Sequence, residues 1–218
     1  MTLPLLAKPP FQFVGGDPAL DLINTVDWTS RGPEHELLES YEQLTRWSEG
    51  AGVVDAATAR RLRRLGEAHP RAAGAALGLA LQARGVLQEV FSAIARGEAA
   101  EPGVARFNHM LQEAVRTLEV APASGTTGYR WRWRGEESDL RAPVWRVLWS
   151  AASLLLSDEI GNVRVCDSED CGWMFVDRSR NGLRRWCQMR TCGTMEKTRR
   201  RRRPPRLDPA LLVRPYSG

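Results

Sequence analysis

All four cysteines of this 218-residue chain fall between positions 166 and 192. They are spaced as Cys166-x4-Cys171, fifteen residues, then Cys187-x4-Cys192. A segment of about 40 residues around them has too little core to fold by burial alone. Two close pairs separated by ~15–20 residues are the usual arrangement of a tetrahedral zinc site. Four thiolates at ~2.3 Å leave the ion no open position, so the expected Zn²⁺ is structural rather than catalytic. Its ligation contributes ~10–16 kcal/mol to folding in peptides of this kind. Two disulfides, an iron–sulfur cluster and free thiols are the rival uses. The first needs an oxidising compartment and the second usually shows other spacings.

Charge is segregated around the same region. Residues 178–206 hold twelve Lys and Arg and a single acid, Glu196, giving that stretch +11. Since the whole chain carries +5, the remainder carries −6. An acidic body with a basic C-terminal arm points to a polyanionic partner for the arm, the bland alternative being a solvated basic tail. No apolar run approaches the ~20 residues that span a bilayer, so no membrane role is expected. The N-terminus lacks a basic region, is broken by Pro4, Pro9 and Pro10, and does not read as a signal peptide. A cytoplasmic protein is the resulting expectation.

The body reads as mainly helical. Phe11–Val14 alternates like a short strand that Gly15-Gly16 ends. Asp17-Pro18 reads as an N-cap and first helical residue. A helix over 18–26 then puts Leu22, Ile23 and Val26 on one side and Asp21, Asn24 and Thr25 on the other. Ser40 with Gln43 forms a capping-box pattern ahead of Tyr41, Leu44 and Trp47. Asp55 caps a helix with Ala59, Leu62 and Leu65 inward, limited by Pro70. Further helical stripes are Leu77-Ala80-Leu87-Phe91-Ile94 and Phe107-Leu111-Val115-Leu118. Tyr129–Arg134 alternates aromatic and basic residues with period two. It predicts a strand pairing with 118–120 or with the N-terminal strand, its aromatics packed against helices, the alternative being a stripe that binds a flat ligand or stacks on bases. Asp139 caps a last body helix to about Leu156, with Leu140, Val144, Leu148 and Leu155 inward. Val163–Val165 leads as a strand into Cys166. Trp173 and Phe175 alternate like one strand of a hairpin packed beside the metal. Thr194–Arg203 predicts a basic helix that Pro204-Pro205 ends.

The fold class expected is α+β. It comprises a mainly helical N-terminal domain with a small β-sheet, and a small C-terminal four-cysteine zinc-finger module built of a β-hairpin and a basic helix. The expected division is 1–158 for the body, 159–203 for the finger and arm, and 204–218 for a tail.

Residues 164–203 resemble the CGNR zinc-finger family. The four cysteines, the Trp173–Phe175–Asp177–Ser179 series, Arg184-Arg185-Trp186-Cys187, Met189 and Lys197 carry that resemblance. The chain departs from the family's Cys-Gly-Asn-Arg, reading Cys192-Gly193-Thr194-Met195 instead. Gly15-Gly-Asp-Pro-Ala-Leu-Asp-Leu-Ile-Asn-Thr25 is similar to the ABATE-type domain of stress-induced bacterial transcription regulators. The two resemblances together imply a DNA-binding transcription regulator.

Phosphate contacts are then expected from Arg178, Arg180, Arg184, Arg185 and Lys197. Arg199, Arg200, Arg201, Arg202 and Arg203 would track the backbone or enter a minor groove. For Arg184 and Arg185 the alternative is pairing with Asp177 or acids of the body. The polar face of Asp21 and Asn24 is the candidate effector site in the body, against a solvated or helix-capping role. A homodimer would suit a palindromic operator. RNA or the ribosome is the alternative partner for the arm, and a protein-interaction module without nucleic acid is a further reading. An enzyme is not expected. His35, His69 and His109 lie in unrelated contexts, and no P-loop, GxGxxG or GxSxG pattern occurs.

Overall fold

The structure, a computed structural model, describes residues 11–29, 32–123, 125, 127–169 and 171–202. Arg203 and the 204–218 tail lie outside the described residues. The body begins with α1 (Pro18–Ile23), followed by the antiparallel hairpin β1 (Val26–Thr29) and β2 (Gly32–Glu36). Four helices come next: α2 (Tyr41–Gly50), α3 (Ala56–Ala68), α4 (Pro70–Ala95) and α5 (Glu101–Val115). A second hairpin, β3 (Leu118–Pro122) and β4 (Tyr129–Trp133), precedes α6 (Ala142–Leu155). A 3₁₀ turn at Asp158–Asn162 leads to the third hairpin, β5 (Val163–Val165) and β6 (Met174–Val176). A π turn at Met189–Gly193 runs into α7 (Thr194–Arg202).

The starts of α1, α2 and α3 follow the capping residues Asp17, Ser40 and Asp55. Ser40 Oγ accepts from Gln43 N–H, and Gln43 Oε1 accepts from Glu39 N–H at 2.6 Å. Asp55 Oδ1 accepts from Thr58 N–H. Asp139 accepts from Arg141 N–H and Trp145 Nε1–H, although α6 itself begins at Ala142. Alanines 73, 76, 80 and 83 line the buried side of α4 and let neighbouring helices approach closely. Leu87 and Phe91 continue that side, and α1, α2, α5 and α6 pack around it.

Several expectations change. Phe11–Val14 is irregular rather than a strand, and α1 stops at Ile23 because Val26 enters β1. The buried side of α5 is Gly103, Phe107, Met110 and Ala114, one residue from the expected stripe; Leu118 belongs to β3. β4 does pair with β3, but of its aromatics only Trp133 is buried. Tyr129 and Trp131 are 75% and 50% exposed.

The hairpin β5–β6 is built into the body. Val163, Met174 and Val176 join the same buried core as Leu20, Ile23, Leu87 and Leu148. Phe175, between them on the strand, faces the other way into a second cluster with Cys166, Trp173, Cys187 and Cys192. Strand alternation therefore gives β6 two cores, one on each side.

Candidate metal centre and nucleic-acid interface

The cysteines arrive from two places. Cys166 and Cys171 bracket the turn between β5 and β6, where Cys166 N–H donates to Trp173 O at 2.8 Å. Cys187 and Cys192 bracket the entry to the π turn, where Gly193 N–H donates to Gln188 O. A Cβ on Gly193 would come within 2.5 Å of Met189 Sδ and 3.3 Å of Trp186 Cε3, so the bare glycine lets this turn close over Trp186.

The four sulfurs all lie within 4.8 Å of one another. Cys171 to Cys187 is 3.7 Å and Cys187 to Cys192 is 3.6 Å. A tetrahedron with ~2.3 Å metal–sulfur bonds has an edge of ~3.8 Å, whereas a disulfide needs ~2.05 Å. All four thiols are free of disulfides. Hydrogen bonds from Cys171 and Cys187 push the Cys166 thiol pKa down, and contact with Cys166 pushes those of Cys171 and Cys187 up. The cluster thus resists holding several thiolates without a cation among them. The donor set and its dimensions fit a tetrahedral metal ion.

Arg184 is an internal strut. Its guanidinium donates to the carbonyl oxygens of Trp186, Cys187 and Val14 and lies 4.1 Å from the Phe175 ring centroid. Asp177 accepts from Ser179 N–H and Arg184 N–H, and Ser179 foremost holds its carboxyl below the usual range. Arg178 forks onto Glu159 and donates to Gly16 O. Arg185 pairs with Asp167 at 2.7 Å and covers the Trp186 ring. Three of the five expected phosphate ligands in the folded module thus have protein partners, and Arg184 is the one least able to leave them. Arg180 and Lys197 are exposed.

α7 is rooted at its first turns and open beyond them. Glu196 Oε1 accepts from Ser168 Oγ–H at 3.0 Å, tying α7 to the first cysteine pair. Arg199 bridges Glu169 and Glu196. Arg200, Arg201 and Arg202 are exposed and pair with no carboxylate among the described residues. Nothing on α7 is buried.

The Asp21 and Asn24 face has a structural task. Asn24, 2% exposed, donates through Nδ2 to Met174 O at 2.9 Å and accepts through Oδ1 from Met174 N–H at 2.8 Å. It completes the side of β6 turned away from β5. Gly15 O does the same for Val176 N–H, and Trp173 Nε1–H donates to Val26 O. Asp21 accepts from Gly15 N–H, and burial raises its pKa to about 6. Gly15 lies so close to α1 that an added Cβ would sit 2.8 Å from Leu20 Cβ. Sequence reasoning missed this joint, because Asn24 and Met174 stand 150 residues apart. It also missed Arg84, whose buried guanidinium pairs with Glu36 and donates to Thr25 Oγ1, fixing the first hairpin. His35, His69 and His109 are exposed and scattered.

A helical body closed around the root of a four-cysteine module with a projecting basic helix defines a zinc-finger-type architecture. The ABATE family model, described as "Putative stress-induced transcription regulator", matches residues 16–158, and the chain belongs to that family. A second model, the CGNR zinc finger, matches residues 162–203. These are the two families that the motifs resemble, and both are regulator or zinc-finger types rather than enzyme families. No curated protein matches the chain. Among the described residues no helix is long and apolar enough to cross a membrane.

Proposed function

We propose that this chain is a cytoplasmic DNA-binding regulator whose four cysteines hold a structural Zn²⁺ and whose α7 docks on the phosphate backbone. The observation that carries the reading is α7 itself. It is a helix with no buried residue, anchored at Cys192 and Glu196, that presents Lys197, Arg200, Arg201 and Arg202 to solvent. Four cations on a helix without an apolar face have no role in folding, and their repulsion disfavours the helix unless an anion lies along it. Arg180 adds to this set. Arg178 and Arg185 join only by exchanging their carboxylates for phosphate.

The ABATE-type body, taken as 1–158, orients the finger, taken as 159–203, through the Asn24 joint. It is also the part available to an effector or a second copy.

The test is binding of the intact, Zn-loaded protein to random duplex DNA at several salt concentrations. With Arg180 included, five phosphate contacts give a slope of log K against log salt of about −4.5. Replacing Arg200, Arg201 and Arg202 together by alanine should reduce it to about −1.8, from Lys197 and Arg180. A flat salt dependence for the intact protein overturns the reading. Tighter binding to structured RNA than to duplex DNA would redirect it to RNA.

A further inference from the structure

The β3–β4 hairpin has an unclaimed edge. Arg134 N–H donates to Thr117 O and Ala123 N–H donates to Gly128 O, one pair at each end of the ladder. With the register Glu119↔Arg132 and Ala121↔Arg130, the even-numbered residues of β4 direct their main-chain groups toward β3. The N–H and C=O of Tyr129 and Trp131 therefore point outward. The sheet has two strands, so no strand covers that edge among the described residues. The outer edge of β3 is different, because Pro122 stands at an outward position and has no N–H to offer.

Side chains on the two faces give the open edge a character. Val120, Tyr129 and Trp131 share one face and are 60%, 75% and 50% exposed. Trp131 is held edge-on to Trp149 with ring centroids 5.4 Å apart, so that face is braced. The opposite face carries Arg130 and Arg132 against Glu119, and Arg134 also reaches Glu119. Arg132 and Arg134 share the single Glu119 carboxylate, and Arg130 has no carboxylate partner among the described residues.

We propose that the outer edge of β4 accepts, as a third strand, an extended segment of a partner protein in which acidic and apolar residues alternate. The outward N–H and C=O groups take the peptide backbone, Tyr129 and Trp131 take its apolar side chains, and Arg130 with Arg132 takes its carboxylates. A second copy of this chain fits worse. Antiparallel pairing of two β4 strands about Trp131 sets Arg130 opposite Arg132 of the other copy, the like-charge arrangement that protects edges from self-pairing. A single nucleic-acid strand could stack on Tyr129 and Trp131 but offers no alternating donors and acceptors to the edge. The proposal stands independently of DNA binding by α7.

The test uses the full-length, Zn-loaded protein and a labelled eight-residue peptide alternating Glu and Val, followed by fluorescence anisotropy at low salt. Controls are a peptide alternating Lys and Val, a peptide with the same four Glu and four Val in two blocks, and an eight-nucleotide single strand. The alternating acidic peptide should bind, and should slow amide hydrogen exchange at Tyr129 and Trp131. Arg130→Glu should weaken it about tenfold. Tyr129→Pro removes one outward N–H without breaking a ladder bond and should weaken it similarly. If that variant misfolds, the exposed Arg130→Glu change and the wild-type exchange data carry the test. No binding up to 1 mM peptide, equal binding of the block peptide, or the same loss in both variants for the single strand but not the peptide would each overturn the proposal.

Discussion

Replacing Asn24 by alanine separates the body from the finger at their joint. The substitution leaves Met174 N–H and Met174 O, both bonded to the Asn24 amide at 2.8 and 2.9 Å, without partners in a buried strand. Each unsatisfied buried main-chain group costs about 1–3 kcal/mol, so the expected destabilisation is about 2–6 kcal/mol. At roughly 2–4 °C per kcal/mol for a chain of this size, the midpoint should fall by at least about 4 °C. Urea unfolding followed by tryptophan fluorescence, with metal content measured on the same samples, reports both effects. Asn24→Asp is the sharper control. An ionised carboxylate still accepts from Met174 N–H but faces Met174 O with no proton to donate. Its cost should shrink as pH falls and the carboxyl gains that proton. An effector-binding Asn24 with no structural task would leave stability unchanged. A loss under about 0.5 kcal/mol for Asn24→Ala would refute the joint.

Three further outcomes are expected. Chelating the metal should unfold α7 and also lower the unfolding midpoint of the body, because Val163, Met174 and Val176 belong to the body's core; circular dichroism and limited proteolysis read the two effects. Asp21, raised to about 6 by burial, binds its proton more readily folded than unfolded, so this group's contribution falls as pH rises from about 4 to about 6. Asp21→Asn should remove up to about 3 kcal/mol of that slope in paired denaturation curves at different pH, while the burial-raised Asp17 leaves a residual of the same sign. Arg184→Ala should destabilise the finger by about 2–4 kcal/mol by orphaning carbonyls around Cys187, whereas Arg200→Ala should change stability by less than about 0.5 kcal/mol; equal effects on stability would contradict their different placements.

Local information was legible in the sequence. The four cysteines, the caps at Asp17, Ser40 and Asp55, and the helices α2 to α6 follow from spacing and periodicity within a few residues. The first hairpin was not, because its strands are held by Arg84, which lies 48 residues beyond Glu36 in sequence. The arginines of the finger show the same limit more sharply. Arg184 and Arg200 are the same residue type in equally basic surroundings, yet one is enclosed by carbonyls and an aromatic ring and the other faces solvent. Only the neighbours supplied by the fold distinguish them. Tyr129–Trp133 reads as a buried stripe because alternation marks a face without saying what covers it. The helices cover Trp133 and stop short of Tyr129.

The two-sided burial of β6 bears on how this architecture can be inherited. A three-residue strand that fills the body with Met174 and Val176 while closing the cysteine cluster with Phe175 ties both halves to a single segment. The finger is therefore no portable cassette. Transplanting it onto another chain would leave Val163, Met174 and Val176 bare and a hole in the donor. Loss of Asn24 would strand main-chain groups that no substitution at position 174 can satisfy, so the two halves are expected to be inherited as one unit.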